Sequence, residues 1–456
     1  MRFFSNEVAV FVSMPIRVVN SLSLIHVFIY CWFSSFVCAK GFQSMLELPG
    51  KAGPSAKTIL SIFYFGAKGD AIHDDSQAFK DAWKVACSQP YQTRLVFPAG
   101  YKFLLFPLEL SGPCKSEKII QISGTFVAPK DPAMWERFNP RKWIYFSRVN
   151  NLTLEGDGRI NGRGTNWWAN SCKMNKTKPC LRAPTALIFH KCKNLSIKNV
   201  EIVNSQQMHL SFTNCFQVRV AQLTISAPAS SPNTDGIHIS ASQAVAIENS
   251  IVRTGDDCIS IVGNSSQIKV RNFTCGPGHG ISIGSLGQSE AAELVRHVIV
   301  DTARLSHTTN GLRIKTWQGG KGNVSEISFQ NVLMDNVSHP IIIEQYYCDS
   351  TSKCPNQTSA VTIKNISFMH IEGTSASREA VRFACSNESP CEDIYLEDIN
   401  LVSYNGGRTK SFCWQAHGSS YGFVEPLPCF AYNMFLFKAK VLSDSLQFFR
   451  NWIWVS

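Results

Sequence analysis

From about residue 150 to residue 402 the chain repeats short apolar–polar–apolar segments between turns rich in asparagine, glycine and serine. Leu152-Thr153-Leu154, Leu195-Ser196-Ile197, Val218-Arg219-Val220, Val245-Ala246-Ile247, Ile268-Lys269-Val270, Val298-Ile299-Val300, Ile327-Ser328-Phe329, Ile366-Ser367-Phe368 and Ile394-Tyr395-Leu396 all follow this pattern. The alternation is that of a β-strand. From Ile197 to Val300 the segments recur every 23 to 30 residues or so. A β-sandwich would place hairpin turns about every 8–12 residues, and a doubly wound α/β fold would put amphipathic helices between the strands. Neither pattern is present. One strand unit per coil, stacked on the next, buries a continuous column of inward side chains. The expected fold is therefore all-β: a single-stranded right-handed parallel β-helix.

A stack of coils has two open ends that must be covered. The segment Asp74 to Cys87 carries Phe79, Trp83 and Val85 among polar residues, and Asp75 or Ser76 can cap it, so it reads as a short N-terminal capping helix. Cys413 to Cys429 is expected to close the other end. Residues 58–430 then form the β-helix, and 431–456 are an extension without an assigned role.

Near the N-terminus, Arg17 precedes the apolar stretch Ser21 to Val37, which ends in Val37-Cys38-Ala39. This reads as a signal peptide over residues 1–39, with a retained anchor as the competing reading. Removing Cys31 and Cys38 with it leaves fourteen of the sixteen cysteines, an even number that reads as disulfides in a secreted chain. Closeness in sequence pairs Cys172 with Cys180, Cys258 with Cys275, Cys348 with Cys354, Cys385 with Cys391, and Cys413 with Cys429. None of these pairs forms a CxxC, and no histidine has zinc-site spacing. Ten Asn-X-Ser/Thr sequons, at Asn151, Asn175, Asn194, Asn264, Asn272, Asn323, Asn336, Asn356, Asn365 and Asn387, agree with a secreted glycoprotein.

Lysine and arginine exceed aspartate and glutamate by 44 to 33, a net charge of +11. Such a balance favours a polyanionic partner. The basic residues are scattered, and no zinc-finger, RNP-like or basic-helix pattern accompanies them, so an acidic polysaccharide fits where nucleic acid does not. No segment beyond the N-terminal stretch reads as membrane-spanning.

Three polar blocks stand in one register: Asn233-Thr234-Asp235-Gly236, Gly255-Asp256-Asp257 and Gly278-His279-Gly280, with Asp235, Asp257 and His279 each 22 residues apart. In a coil of that length the three ionisable groups meet on one face. Coils rise by about 4.8 Å, so carboxylates one coil apart fall within the range of separations that hydrolysis by a carboxylate pair requires. An isolated Asp-Asp is ordinarily a solvated turn or a calcium ligand pair; adjacent carboxylates at a turn can instead face one cleft, where one pKa rises and the other stays low, giving an acid and a base. Further on, Arg313-Ile314-Lys315 alternates so that both cations face one side and can grip a carboxylate.

These four blocks, in this order, resemble the signature of the polygalacturonases, glycoside hydrolase family 28, and of their plant members above all. The likeness runs from Phe65-Gly66-Ala67-Lys68-Gly69-Asp70 through Trp167-Trp168 to Cys429. It implies a right-handed parallel β-helix that hydrolyses α-1,4-linked galacturonan with inversion and without a cofactor or metal, acting as a monomer in the cell wall. By the same resemblance Asp256 is the general acid, Asp235 and Asp257 activate water, and His279 supports them. Arg313, Lys315, Asn233 and Tyr347 would contact substrate, with Tyr346 the alternative to Tyr347. Two positions depart from the pattern: Asn161 stands where the family usually has aspartate, and Gln206 where a proline usually follows Asn204-Ser205. Other readings are a hydrolase of rhamnogalacturonan or xylogalacturonan, a calcium-dependent pectate lyase, and a non-catalytic wall-binding glycoprotein.

Overall fold

A computed structural model describes residues 57–430, except 175, 176, 178, 181, 351 and 352. The expected signal peptide, residues 1–39, and the extension 431–456 lie outside the described residues. The described chain is a right-handed parallel β-helix with one 19-stranded and one 11-stranded sheet. All nine sequence-read segments lie in one in-register column, Leu152↔Leu195↔Val218↔Val245↔Ile268↔Val298↔Ile327↔Ile366↔Ile394. In a representative coil, Gln243–Arg253 runs along the first sheet and Ile259–Ile261 lies in the second.

The sequence sets where the coil bends. Asn199, Gln222, Asn249, Asn272, Thr302, Asn331, His370 and Asp398 all have positive φ at the equivalent bend of successive coils. Asparagine tolerates this left-handed conformation through local hydrogen bonding, and its amides link neighbouring coils: Asn272 Nδ2 donates to Asn249 Oδ1 at 2.7 Å. Of the sequons, Asn151 and Asn194 are exposed on adjacent coils and hydrogen-bonded to each other at 2.7 Å.

Inside the second sheet Ile237, Ile259, Ile281, Leu312, Ile341 and Val381 form one buried column, with Ile239, Ile261, Ile283, Ile314, Ile343 and Phe383 beside it. Each such aliphatic side chain contributes about 1.5–3 kcal/mol by leaving water. Phe146, Phe189 and Phe212 extend the stacking, with ring centroids 5.0 and 5.6 Å apart.

The capping helix spans Ser76–Ser88 and buries Phe79, Ala82, Trp83 and Ala86. Phe79 packs edge-on against Phe97 at 4.8 Å and Trp83 against Phe146 at 5.8 Å, closing the first coils. Asp75 is the N-cap residue, but its carboxylate accepts from the Lys68 and Gly69 N–H groups; the Ser76 N–H is taken by Asp74 instead. At the far end Cys413–Cys429 is a disulfide, and Phe430 stacks on Phe383.

All five expected disulfides are present, together with Cys87–Cys114, which ties the helix to the coil. The even count misleads for the last two: Cys192 and Cys215 are buried free thiols. They occupy one position on adjacent coils, and each donates to a backbone carbonyl of the preceding coil, Phe146 O and Phe189 O. Ser242 follows in the same column and accepts from the Cys215 N–H at 3.0 Å, so the position requires a small polar group and not a bridge. The native protein should therefore resist alkylation at both thiols. After unfolding without reductant, peptide mapping should find the label on Cys192 and Cys215; label on Cys87 or Cys114 would contradict this pairing.

Candidate active site

The 22-residue interval in the sequence is a strand register in space. Ile237 pairs with Ile259 and Ile259 with Ile281, which places Asp235, Asp257 and His279 at equivalent positions just before three successive strands of the second sheet. Backbone hydrogen bonds lock the turns to one another: Gly236 N donates to Asp257 O at 2.9 Å, Cys258 N to Gly280 O at 2.8 Å, and His279 N to Asp256 O at 2.8 Å. Close stacking explains two of the glycines. A Cβ on Gly255 would lie 2.0 Å from Ser231 O, and one on Gly280, where φ is +87°, would lie 2.1 Å from Asn310 O. The Cys258–Cys275 disulfide lies in the core beneath; closing a loop of this length stabilises by about 3 kcal/mol.

The three carboxylates occupy different surroundings. Asp257 is almost fully buried and doubly paired, with Arg313 Nη2 at 2.8 Å from one oxygen and Lys315 Nζ at 2.9 Å from the other. Ser282 Oγ also donates to it at 2.8 Å. Both expected cations thus face one side, but in the free protein they hold an internal carboxylate. Asp256 retains 19% side-chain exposure and is the most accessible of the three. Its Oδ1 meets His279 Nδ1 at 3.0 Å and accepts from the Asp257 N–H, while Asn233 Nδ2 donates to Oδ2 at 3.4 Å. Asp235 is 8% exposed, and its side chain accepts from Ser260 Oγ at 2.8 Å.

These environments separate the proton affinities. Burial raises Asp235 well above the usual carboxylate range, and the charges of Asp256 and Asp257 push it further. Burial also acts upward on Asp256, but the hydrogen bond and charge of His279, the Asp257 N–H and Lys315 outweigh it and leave Asp256 below its ordinary value. Of these two, Asp235 therefore holds a proton more tightly than Asp256 in the free site. His209, fully buried behind it, is pushed down to about 4 by burial; this neutral ring donates from Nδ1 to Asp235 O at 3.0 Å and fixes that backbone.

Tyr347 lies 5.3 Å from Lys315 Nζ by ring centroid and packs edge-on against Trp317. Burial, with smaller effects from neighbouring charges, pushes its phenol up to about 12. Tyr346 instead donates to Cys385 O at 3.2 Å. Sequence reading missed Ser260, Ser282 and His238. Their signal was the same interval: His238, Ser260 and Ser282 are again 22 residues apart and pair in register. His238 Nδ1 meets Ser260 Oγ at 2.8 Å, and burial lowers its pKa to about 4.

Residues 87–421 match the profile of the glycosyl hydrolases family 28. The chain belongs to family 28. It is 56% identical over 396 residues to a probable polygalacturonase of Arabidopsis thaliana, covering 86% of this chain and 89% of that one. It is 50% identical over 387 residues to a polygalacturonase of Persea americana, covering 84% and 82%. The fold matches a solved exopolygalacturonase from Thermotoga maritima with a TM-score of 0.68 at 22% identity, over 82% of this chain and 91% of that one. The family 28 chain is a glycosidase, in agreement with the resemblance carried by the four blocks.

Because folding raises the Asp235 pKa, the native state binds more protons than the unfolded chain there. Stability is then lost as pH rises from the ordinary carboxylate range through the native value. Asp235→Asn keeps an acceptor for Ser260 and removes the charge. Thermal unfolding should show the variant gaining stability over wild type at pH 7, and gaining less at about pH 4, where the buried carboxyl is already neutral. A gain that does not depend on pH would contradict a buried, protonated Asp235.

Proposed function

We propose that this family 28 hydrolase is a secreted polygalacturonase that cleaves α-1,4-galacturonosyl links of de-esterified galacturonan with inversion, in the cell wall and as a monomer. The observation that carries this reading is the carboxylate cluster of Asp235, Asp256 and Asp257, flanked on the outer face of one sheet by Arg313 and Lys315. The polygalacturonase names of its plant relatives support the substrate. An inverting glycosidase needs a proton donor on one side of the bond and a base for water on the other. Asp256, the accessible member, serves as donor to the leaving oxygen; Asp235 and Asp257 orient and deprotonate water.

In the free site Asp235 holds a proton more tightly than Asp256, so substrate must reverse that order. A galacturonate carboxylate bound beside His279 and Lys315 offsets their pull on Asp256, and the sugar ring excludes water from it. Both effects raise Asp256. As the proton settles on Asp256, Asp235 becomes the ionised base. Arg313 and Lys315, drawn to the incoming carboxylate, loosen their hold on Asp257 and free it to accept from water.

Incubation with polygalacturonate at mildly acidic pH should release reducing ends without unsaturated products, and NMR of the first product should show the β-anomer. Asp256→Asn should lower turnover about 10²–10⁴-fold, and a near-normal rate would reassign the acid. Lys315→Ala should raise KM and reduce discrimination between free and methyl-esterified galacturonan. A wild type inactive on every uronan would sink the reading.

A further inference from the structure

Two inserts that leave the coil at distant points of the fold meet at one ion pair. Residues 162–184 precede the strand Thr185–His190, and residues 348–361 follow the strand His339–Tyr347. Five strands of the second sheet lie between these two, among them the strands that follow the turns of Asp235, Asp257 and His279. At the usual strand spacing that is about 29 Å along the axis. Lys173 Nζ and Asp349 Oδ1 nevertheless lie 2.6 Å apart, although the two residues are separated by 176 positions in sequence. Each partner sits beside a disulfide that closes a short loop: Lys173 follows Cys172, bonded to Cys180, and Asp349 follows Cys348, bonded to Cys354.

The inserts are rooted on opposite flanks of the carboxylate cluster. The first is seated on the turns that precede the strands: Gly164 N donates to Asn204 O at 2.8 Å and Trp168 Nε1 to Ser205 O at 3.1 Å, and Asn170 and Ser171 line one cavity with Asn233. The second begins where the strands end, at Tyr347, which pairs with Trp317 and whose ring lies 5.3 Å from Lys315 Nζ. Between these roots the Asn233 amide meets Asp256 at 3.4 Å and Lys315 Nζ meets Asp257 at 2.9 Å. The circuit from Asn233 through the first insert to Lys173, across the ion pair to Asp349 and Tyr347, and back through Lys315 to the aspartates is therefore closed. The side chains of the pair are 45% and 50% exposed, so water and salt weaken it and it can open.

We propose that Lys173 and Asp349 form a clasp across the substrate groove that decides how a polymer reaches the carboxylates. Closed, it admits a chain end threaded beneath it; open, it admits an internal segment laid in from the side. Neither residue touches the reacting atoms, so the clasp governs the pattern of cleavage and leaves the chemistry to the cluster below. A short oligomer passes under it in either state.

A clasp of this kind acts only on a polymer, so its role rests on the galacturonan reading. On polygalacturonate at low ionic strength, Lys173→Ala and Asp349→Ala should each raise the loss of viscosity per reducing end about two- to fivefold, the range over which an exposed ion pair shifts an equilibrium, and should lengthen the first products. The two substitutions change the local charge in opposite senses, so a shared direction reports the pair and not attraction of the polyanion. Exchanging the charges (Lys173→Asp with Asp349→Lys) should restore the wild-type pattern, and kcat/KM on a short oligogalacturonate should stay level throughout. Opposite shifts, or none, would overturn the clasp. Amide hydrogen exchange read by mass spectrometry follows it without substrate: residues 166–174 should exchange faster in both single variants and in wild type at high salt, and return to the low-salt wild-type rate in the charge-exchanged protein. If exchange responds in this way while wild type degrades no galacturonan, the clasp stands and the substrate reading falls; if exchange does not respond, the clasp falls even where wild type cleaves galacturonan.

Discussion

The in-register parallel hydrogen bonding of one coil to the next is the constraint on which this molecule depends. It turns a fixed offset in sequence into adjacency in space, so that Asp235, Asp257 and His279 become neighbours because the backbones at Gly236, Cys258 and His279 are bonded across coils. A site assembled this way is held by the same ladder that holds the fold. Its groups need little reorganisation when charge develops, which is the condition under which buried dipoles and charges are most effective in catalysis. The cost is intolerance at the turns, where Gly255 and Gly280 leave no room for a Cβ against the neighbouring backbone.

Within that frame, three like residues receive unlike surroundings. Asp257 receives two cations and a hydroxyl, Asp256 a histidine and a backbone N–H, and Asp235 only a hydroxyl beneath the others. Three equivalent carboxylates at this spacing would repel one another and share protons without order. The asymmetry raises the proton affinity of Asp235 and lowers that of Asp256 in the free site, so that on the proposed reading one shift of proton between them yields an acid and a base together. The histidines divide similarly: His279 is partly exposed and meets Asp256, whereas His209 is buried and donates to the Asp235 carbonyl.

Much of this was legible in the sequence because the coil repeats. The alternating triplets marked nine strands of one column, and the 22-residue interval marked the site; the same interval at His238, Ser260 and Ser282 carried the supporting hydroxyls, which lack the charge that draws attention to the aspartates. Legibility fails where the repeat breaks. The steps from Asn150 to Lys193 and from Ser325 to Lys364 are 43 and 39 residues, because each coil carries an insert with its own disulfide. The first insert builds the cavity beside Asn233, and nothing periodic announces it. Cys87 and Cys114 are 27 residues apart, beyond any short-loop argument, and Cys192 with Cys215 obeys the column of small polar groups and not the arithmetic of cysteine pairs. Asp75 likewise has capping chemistry at a helix start, but the loop at Lys68 and Gly69 competes for its carboxylate and wins.

The placement of Arg313 and Lys315 links recognition to chemistry. In the free protein they pair with both Asp257 oxygens, at 2.8 and 2.9 Å, and a carboxylate held this way has no oxygen free to accept from water. If the substrate is the galacturonan proposed above, its own carboxylate competes for the same two cations, and an Asp257 oxygen is freed for water only as that carboxylate arrives. A neutral galactan or a fully esterified chain could enter the groove and contact Asn233 and Tyr347, yet it would leave Asp257 clamped. Selectivity for the acidic sugar is then expressed in the chemical step as well as in binding, since the interaction that distinguishes the substrate is also the one that releases the base.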